Sequence, residues 1–100
     1  MYRGTTPTLN FVFGYNLEEL SVDEFYLTFK QGDKVVLEKR LLELEIAENK
    51  VTVTLTQQET LSLWANVPIY IQARIKKGDK AYATNIIATT LKAILKDGEI

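Results

Sequence analysis

Apolar and polar side chains alternate strictly in short runs along nearly the whole chain, and this alternation limits what the chain can fold into more than any other feature. Phe25, Leu27 and Phe29 alternate with Glu24, Tyr26, Thr28 and Lys30, while Ile69, Ile71, Ala73 and Ile75 alternate with Tyr70, Gln72 and Arg74. Successive side chains of a strand point to opposite faces, so each run predicts a strand with one buried and one wet face. Leu9, Phe11 and Phe13 carry the same pattern against Thr8, Asn10 and Val12. So do Leu42, Leu44 and Ile46 against Glu43 and Glu45, and Val51, Val53 and Leu55 against Thr52 and Thr54.

The residues between these runs have turn chemistry. Gly32-Asp33 and Gly78-Asp79 each fit a type II′ hairpin turn, whose first central position needs a positive φ that glycine adopts without steric cost. The strand after the first of these starts near Lys34 and carries Val35 and Leu37. Glu48 to Lys50 is a polar turn, and Lys77-Gly78-Asp79, which also matches a short integrin-binding tripeptide, is read as a hairpin turn. Thr56-Gln57-Gln58-Glu59 has the spacing of a capping box and predicts one short helical turn near residues 57–63, with Leu61 and Trp64 plugging one end of the core. Further on, Ala81 and Ala83 keep one phase, but the adjacent Ile86 and Ile87 break it, which predicts a bulge near Asn85. A helix over Thr84 to Leu95 is the alternative, disfavoured by the β-branched Thr84, Ile86, Ile87, Thr89 and Thr90. About seven short strands at this spacing predict an all-β fold, an antiparallel immunoglobulin-like sandwich forming one domain over residues 1–100. Residues 1–7, with Pro7 and almost no inward apolar phase, read as a mobile arm available to a neighbour, and residues 96–100 as a frayed tail.

Composition decides which chemistry is open to such a domain. With 100 residues, 46% of them hydrophobic, the chain can bury about two-thirds of its unfolded surface and build its own core. Twelve Lys and Arg against thirteen Asp and Glu give a net charge of −1, without the basic surplus that binding to nucleic acid or an anionic membrane draws on. The absence of Cys and His removes thiolate and imidazole chemistry, disulfides and the usual zinc ligands, so no metal, cofactor or small-molecule site is expected. No apolar run reaches the length of a membrane span, and Met1 to Asn10 lacks the apolar region of a signal peptide. Glu43 and Glu45, alternate residues of one expected strand, have the separation of paired glycosidase acids, but charges between leucines are read as a solvated face. The acidic stretch Glu18, Glu19, Asp23 and Glu24 offers hard oxygen donors without the spacing of a calcium loop. No catalytic residue is therefore assigned. Tyr26 and Tyr70 fall on the outward phase of their strands, and Tyr2, Tyr15 and Tyr82 lie near ends or turns. With Arg3 and Arg74 they form the candidate interaction surface, since tyrosine buries its ring in a contact while its hydroxyl stays wet.

Three stretches carry a family resemblance. The opening Tyr2-Arg3-Gly4-Thr5-Thr6-Pro7-Thr8, the corner Leu55-Thr56-Gln57-Gln58-Glu59-Thr60-Leu61, and Ile71-Gln72-Ala73-Arg74 followed by the Gly-Asp hairpin and Leu95-Lys96-Asp97-Gly98-Glu99-Ile100 together span nearly the whole chain. They resemble small proteins of about 100 residues encoded among the tail and baseplate genes of phages and prophages of Gram-positive bacteria. The sandwich pattern is more weakly similar to the N-terminal module of upper baseplate proteins. The resemblance implies a non-enzymatic virion component, made in the host cytoplasm, that contacts other tail or baseplate proteins or copies of itself. A sandwich module that binds a carbohydrate or cell surface is the alternative.

Overall fold

The computed structural model describes residues 1–100 as two antiparallel sheets packed face to face. The strands are β1 (Thr8–Val12), β2 (Glu24–Gln31), β3 (Lys34–Arg40), β4 (Glu45–Ala47), β5 (Lys50–Thr54), β6 (Ile69–Lys77), β7 (Lys80–Ala83) and β8 (Ile87–Thr89). Two short helices, α1 (Leu17–Leu20) and α2 (Gln57–Leu61), and a 3-10 turn at Leu41–Glu43 complete it. The smaller sheet has the order β1-β5-β4, and the larger one β3-β2-β6-β7, with β8 also on β6. This is the B-E-D and C′-C-F-G arrangement of an immunoglobulin-like sandwich, without the strand A that would flank β1.

Alternation produces the core directly. Phe25, Leu27 and Phe29 of β2 oppose Ile75, Ala73 and Ile71 of β6 in register, and all six are buried. Val51, Val53 and Leu55 face them from the smaller sheet, and Leu17, Leu63 and Leu91 close the periphery. Each fully buried large side chain contributes about 1.5–3 kcal/mol through removal of apolar surface from water. Both Gly-Asp hairpins form as expected: Gln31 pairs with Lys34 and Lys77 with Lys80, with φ of 61° at Gly32 and 57° at Gly78. The capping box forms too, since Thr56 Oγ1 accepts from the Glu59 N–H at 3.1 Å and a Glu59 carboxylate oxygen accepts from the Thr56 N–H at 2.9 Å.

Several expectations are corrected. Leu42 to Ile46 is not one strand: the Glu43 carboxylate accepts from the Arg40 N–H, the chain turns through one 3-10 turn, and Leu42 is left fully exposed while Leu41 and Leu44 pack inward. Their spacing of three suits that turn. Leu37 packs against the core as expected, but Val35 lies outside it because the register shifts between Phe29 and Lys30, which brings Val36 inward in its place. Trp64 is exposed, and Leu63 plugs the end in its place. The reason is Gln31, buried at the end of β2, whose side-chain oxygen accepts from the Trp64 N–H and whose amide donates to the Trp64 and Val67 carbonyls, so the backbone at 64–67, not the indole, turns inward. Ala81 and Ala83 are exposed. The expected slip near Asn85 is present: Ala83 pairs with Arg74 but Ile87 with Ile71, so the edge takes up one extra residue between β7 and β8, where the Thr84 N–H donates to the Ala73 carbonyl and the Thr84 hydroxyl accepts from the Ala73 N–H.

Residues 1–7 are also corrected, since they are tied to their own domain. Arg3 donates to the Leu61 and Leu63 carbonyls at 2.8 and 3.2 Å, capping the C-terminal end of α2, and pairs with Asp97 at 2.8 Å. Tyr2 bridges Lys92 in parallel, the Met1 carbonyl accepts from the Lys92 N–H, and the Thr5 carbonyl accepts from the buried Thr60 hydroxyl. The tail is held at its end, where Gln57 donates to the Ile100 carbonyl and accepts from its N–H. Sequence pattern missed this because the partners are backbone carbonyls, which leave no periodic mark. Arg3→Ala should therefore lower stability by about 1–3 kcal/mol, the range for helix-end carbonyls losing a charged donor, and removal of residues 1–6 should lower it further. Urea unfolding of the three forms measures both.

Candidate functional site

The seven residues singled out from sequence fall into three separate places. Tyr26, Tyr70 and Arg74 share the outer face of the larger sheet, because strand alternation turns them away from the core. Register puts Tyr26 between Arg40 of β3 and Arg74 of β6. The Arg40 guanidinium lies over the Tyr26 ring at 4.7 Å from its centroid and donates to its hydroxyl. Glu24, Thr28, Glu38 and Lys76 complete a shallow hollow of about 350 Å³ beside Tyr26 and Arg74. Tyr15 and Tyr82 meet elsewhere, with ring centroids 6.4 Å apart, and continue through Phe13 to Phe25 as an aromatic file along one side of the sandwich. Burial, and then repulsion from Tyr82, raise the Tyr15 pKa above its ordinary value. Tyr2 and Arg3 form the third place, with Lys92 over the Tyr2 ring and Arg3 spent on α2 and the tail.

The carboxylates weighed for catalysis are dispersed. Glu43 sits in the 3-10 turn beside Lys39 at 3.5 Å, while Glu45 pairs with Thr52 on β4, so the two do not share a strand face. Within the acidic stretch, Asp23 accepts from the Gly78 N–H, and no three acidic side chains come together in the chain as a group able to hold a metal. One ionic cluster went unnoticed in the sequence. Lys39 lies opposite Leu27 on the inward phase of β3, and its ammonium reaches Glu59 of α2 at 2.6 Å. The alternation Leu37, Lys39, Leu41 was the available signal. Burial would raise the Glu59 pKa, but the hydrogen bond and charge of Lys39 and the Thr56 N–H outweigh it and hold the carboxyl below its ordinary range. The cluster therefore joins β3 to α2 through an ionised Glu59 carboxylate.

A fourth place is formed by backbone. β1 is an edge strand with no neighbour on the side where strand A would lie. The Pro7 carbonyl accepts from the Leu55 N–H and the Phe13 N–H donates to the Asn49 carbonyl, so the odd residues of this stretch face β5. Alternation then points the N–H and C=O groups of Thr8, Asn10 and Val12 into the open side. Beside this edge, between the two sheets, runs a cleft of about 360 Å³ lined by Phe11, Val12, Phe13, Leu27, Ile71 and Ile87 with a few polar neighbours. Val12 is 74% and Ile87 49% exposed. The total accessible surface is 6494 Å², against roughly 5,800 Å² for a compact monomer of this mass.

Edges of this kind are normally protected by charge, proline, bulges or brevity. β3 has Lys34, Glu38, Lys39 and Arg40 and a register shift; β4 has three residues, one of them Glu45; and the opposite edge is broken into β7 and β8. Thr8–Val12 has neither charge nor proline. Compared with family models, curated proteins and solved structures, the chain has no match.

The Lys39–Glu59 contact predicts a pH-dependent effect. A carboxyl whose pKa falls on folding stabilises the fold above its unfolded pKa, and that contribution is lost as the pH drops through the folded value. Glu59→Gln should thus cost about 1–3 kcal/mol near pH 7, through the buried ammonium left with only Glu43, and close to nothing in acid below the carboxylate range. Melting temperatures of both forms across that span check the sign.

Proposed function

We propose that this chain is a non-enzymatic structural or accessory component of a phage or prophage tail or baseplate, acting through protein–protein contacts. The observation that carries the contact part of this reading is the β1 edge: an uncharged strand with outward backbone groups beside an apolar cleft, on a sandwich whose other edges are charged, short or broken. Exposed apolar surface rimmed by polar residues is how association sites are built. The tail and baseplate part rests on the resemblance of the Tyr2 to Thr8 opening, the Leu55 to Leu61 corner and the closing segment. Mass spectrometry of purified particles, or of induced prophage lysate, should find the chain in amounts comparable to known tail proteins. Its repeated absence from particles would remove the structural reading.

A carbohydrate-binding role would use the outer-face hollow around Tyr26. Sugars stack on a free aromatic face, and here the Arg40 guanidinium already covers one side of the ring and engages its hydroxyl. Contacts between proteins are accordingly the preferred reading. A glycan array should show no binding that Tyr26→Ala or Tyr70→Ala abolishes.

A further inference from the structure

The geometry points to a second copy of this chain as the occupant of the β1 edge, paired antiparallel about a two-fold axis through Asn10. This deepens the contact-protein reading above and rests on it. The outward N–H and C=O groups belong to Thr8, Asn10 and Val12, three alternate positions centred on Asn10. An antiparallel copy set about that centre places Asn10 opposite Asn10 and Thr8 opposite Val12. Every outward donor then meets an acceptor, in about six new hydrogen bonds. The two smaller sheets become one, in the order β4-β5-β1-β1-β5-β4.

Side chains fit the same register. On the inward face, Leu9 of one copy falls opposite Phe11 of the other, and both are apolar residues that the monomer buries only in part. Their contact lies at the mouth of the cleft that Phe11 and Val12 line, so pairing continues the core outward. On the outer face Asn10 meets Asn10, and Val12 gains the Thr8 side chain as a neighbour. Electrostatics favours a copy as partner over a charged one. Like charges directly across a strand pair are destabilising, and Thr8–Val12 has none to oppose. A net charge of −1 adds little repulsion between whole copies.

Sedimentation equilibrium up to about 1 mM tests the association, and two variants test the edge. The wild-type chain should show a concentration-dependent dimer. Asn10→Lys, which sets two ammonium groups directly opposite each other across the new pairing, should weaken it roughly tenfold or more and cost the monomer only the hydrogen bond that the Asn10 side chain accepts from the Thr52 hydroxyl, and Val12→Lys, which puts a charge opposite Thr8 of the other copy, should weaken it to a smaller extent. Because the chain has no Cys, Asn10→Cys can form only an intermolecular disulfide, and directly paired residues lie about 5.5 Å apart at Cα, within disulfide range. Mild oxidation should cross-link that variant rapidly and leave Glu38→Cys on the β3 edge monomeric. A wild-type monomer throughout the range would overturn the homotypic pairing, while presence in particles would still uphold the contact-protein reading. A dimer that both Lys variants retain, or equal cross-linking at positions 10 and 38, would overturn the assignment to β1.

Discussion

The pairing of β2 with β6 is the constraint from which the remaining structure follows. It sets Phe25, Leu27 and Phe29 against Ile75, Ala73 and Ile71 across seven paired positions, and since a slip of one residue would turn every one of these side chains to solvent, the register has no near competitor. β5 supplies the facing layer through Val51 and Val53. β3 and the β7–β8 edge are added on either side of this central pair, and their sequences tolerate more polarity because each buries less. Lys39 can occupy an inward position on β3 only because it lies close enough to the end of the sandwich for its ammonium to reach Glu59 and Glu43.

Closure of the ends relies on polar ties. Gln31 holds the backbone at 64–67, Thr60 holds Thr5, and Arg3 holds both the end of α2 and Asp97. These bonds fill the same purpose at the ends that leucines fill in the middle, and every buried side-chain polar atom has a partner. A buried donor left unpaired would cost more than the bond contributes, so the ends are as specific as the core. The chain's two terminal segments are thereby occupied with their own domain, while β1 keeps an unpaired edge.

Much of this was legible beforehand. The all-β class, the two Gly-Asp hairpins, the capping box at Thr56 and the inward sets of β2, β5 and β6 all follow from local chemistry: period-2 alternation, glycine at positive φ, and a hydroxyl three residues before a carboxylate. Leu42 and Trp64 were misplaced because hydrophobicity alone does not say which of two adjacent apolar residues a turn will present inward. Of the seven proposed contact residues, only Tyr26, Tyr70 and Arg74 share a face, since the others lie on segments whose course depends on distant partners. The uncharged stretch Thr8–Val12 was readable, but its meaning was not, because nothing local distinguishes a central strand from an edge.

By itself the sequence determined the all-β class, the buried faces of β2, β5 and β6, the two Gly-Asp turns, and the closure of thiolate and imidazole chemistry to a chain without Cys or His. Those properties depend on residue type and nearest neighbours. Only the tertiary structure decided the strand order, the docking of residues 1–7 and the open side of β1. Each of these is settled by contacts between segments tens of residues apart, where backbone groups common to all residues do the pairing and side-chain pattern is silent.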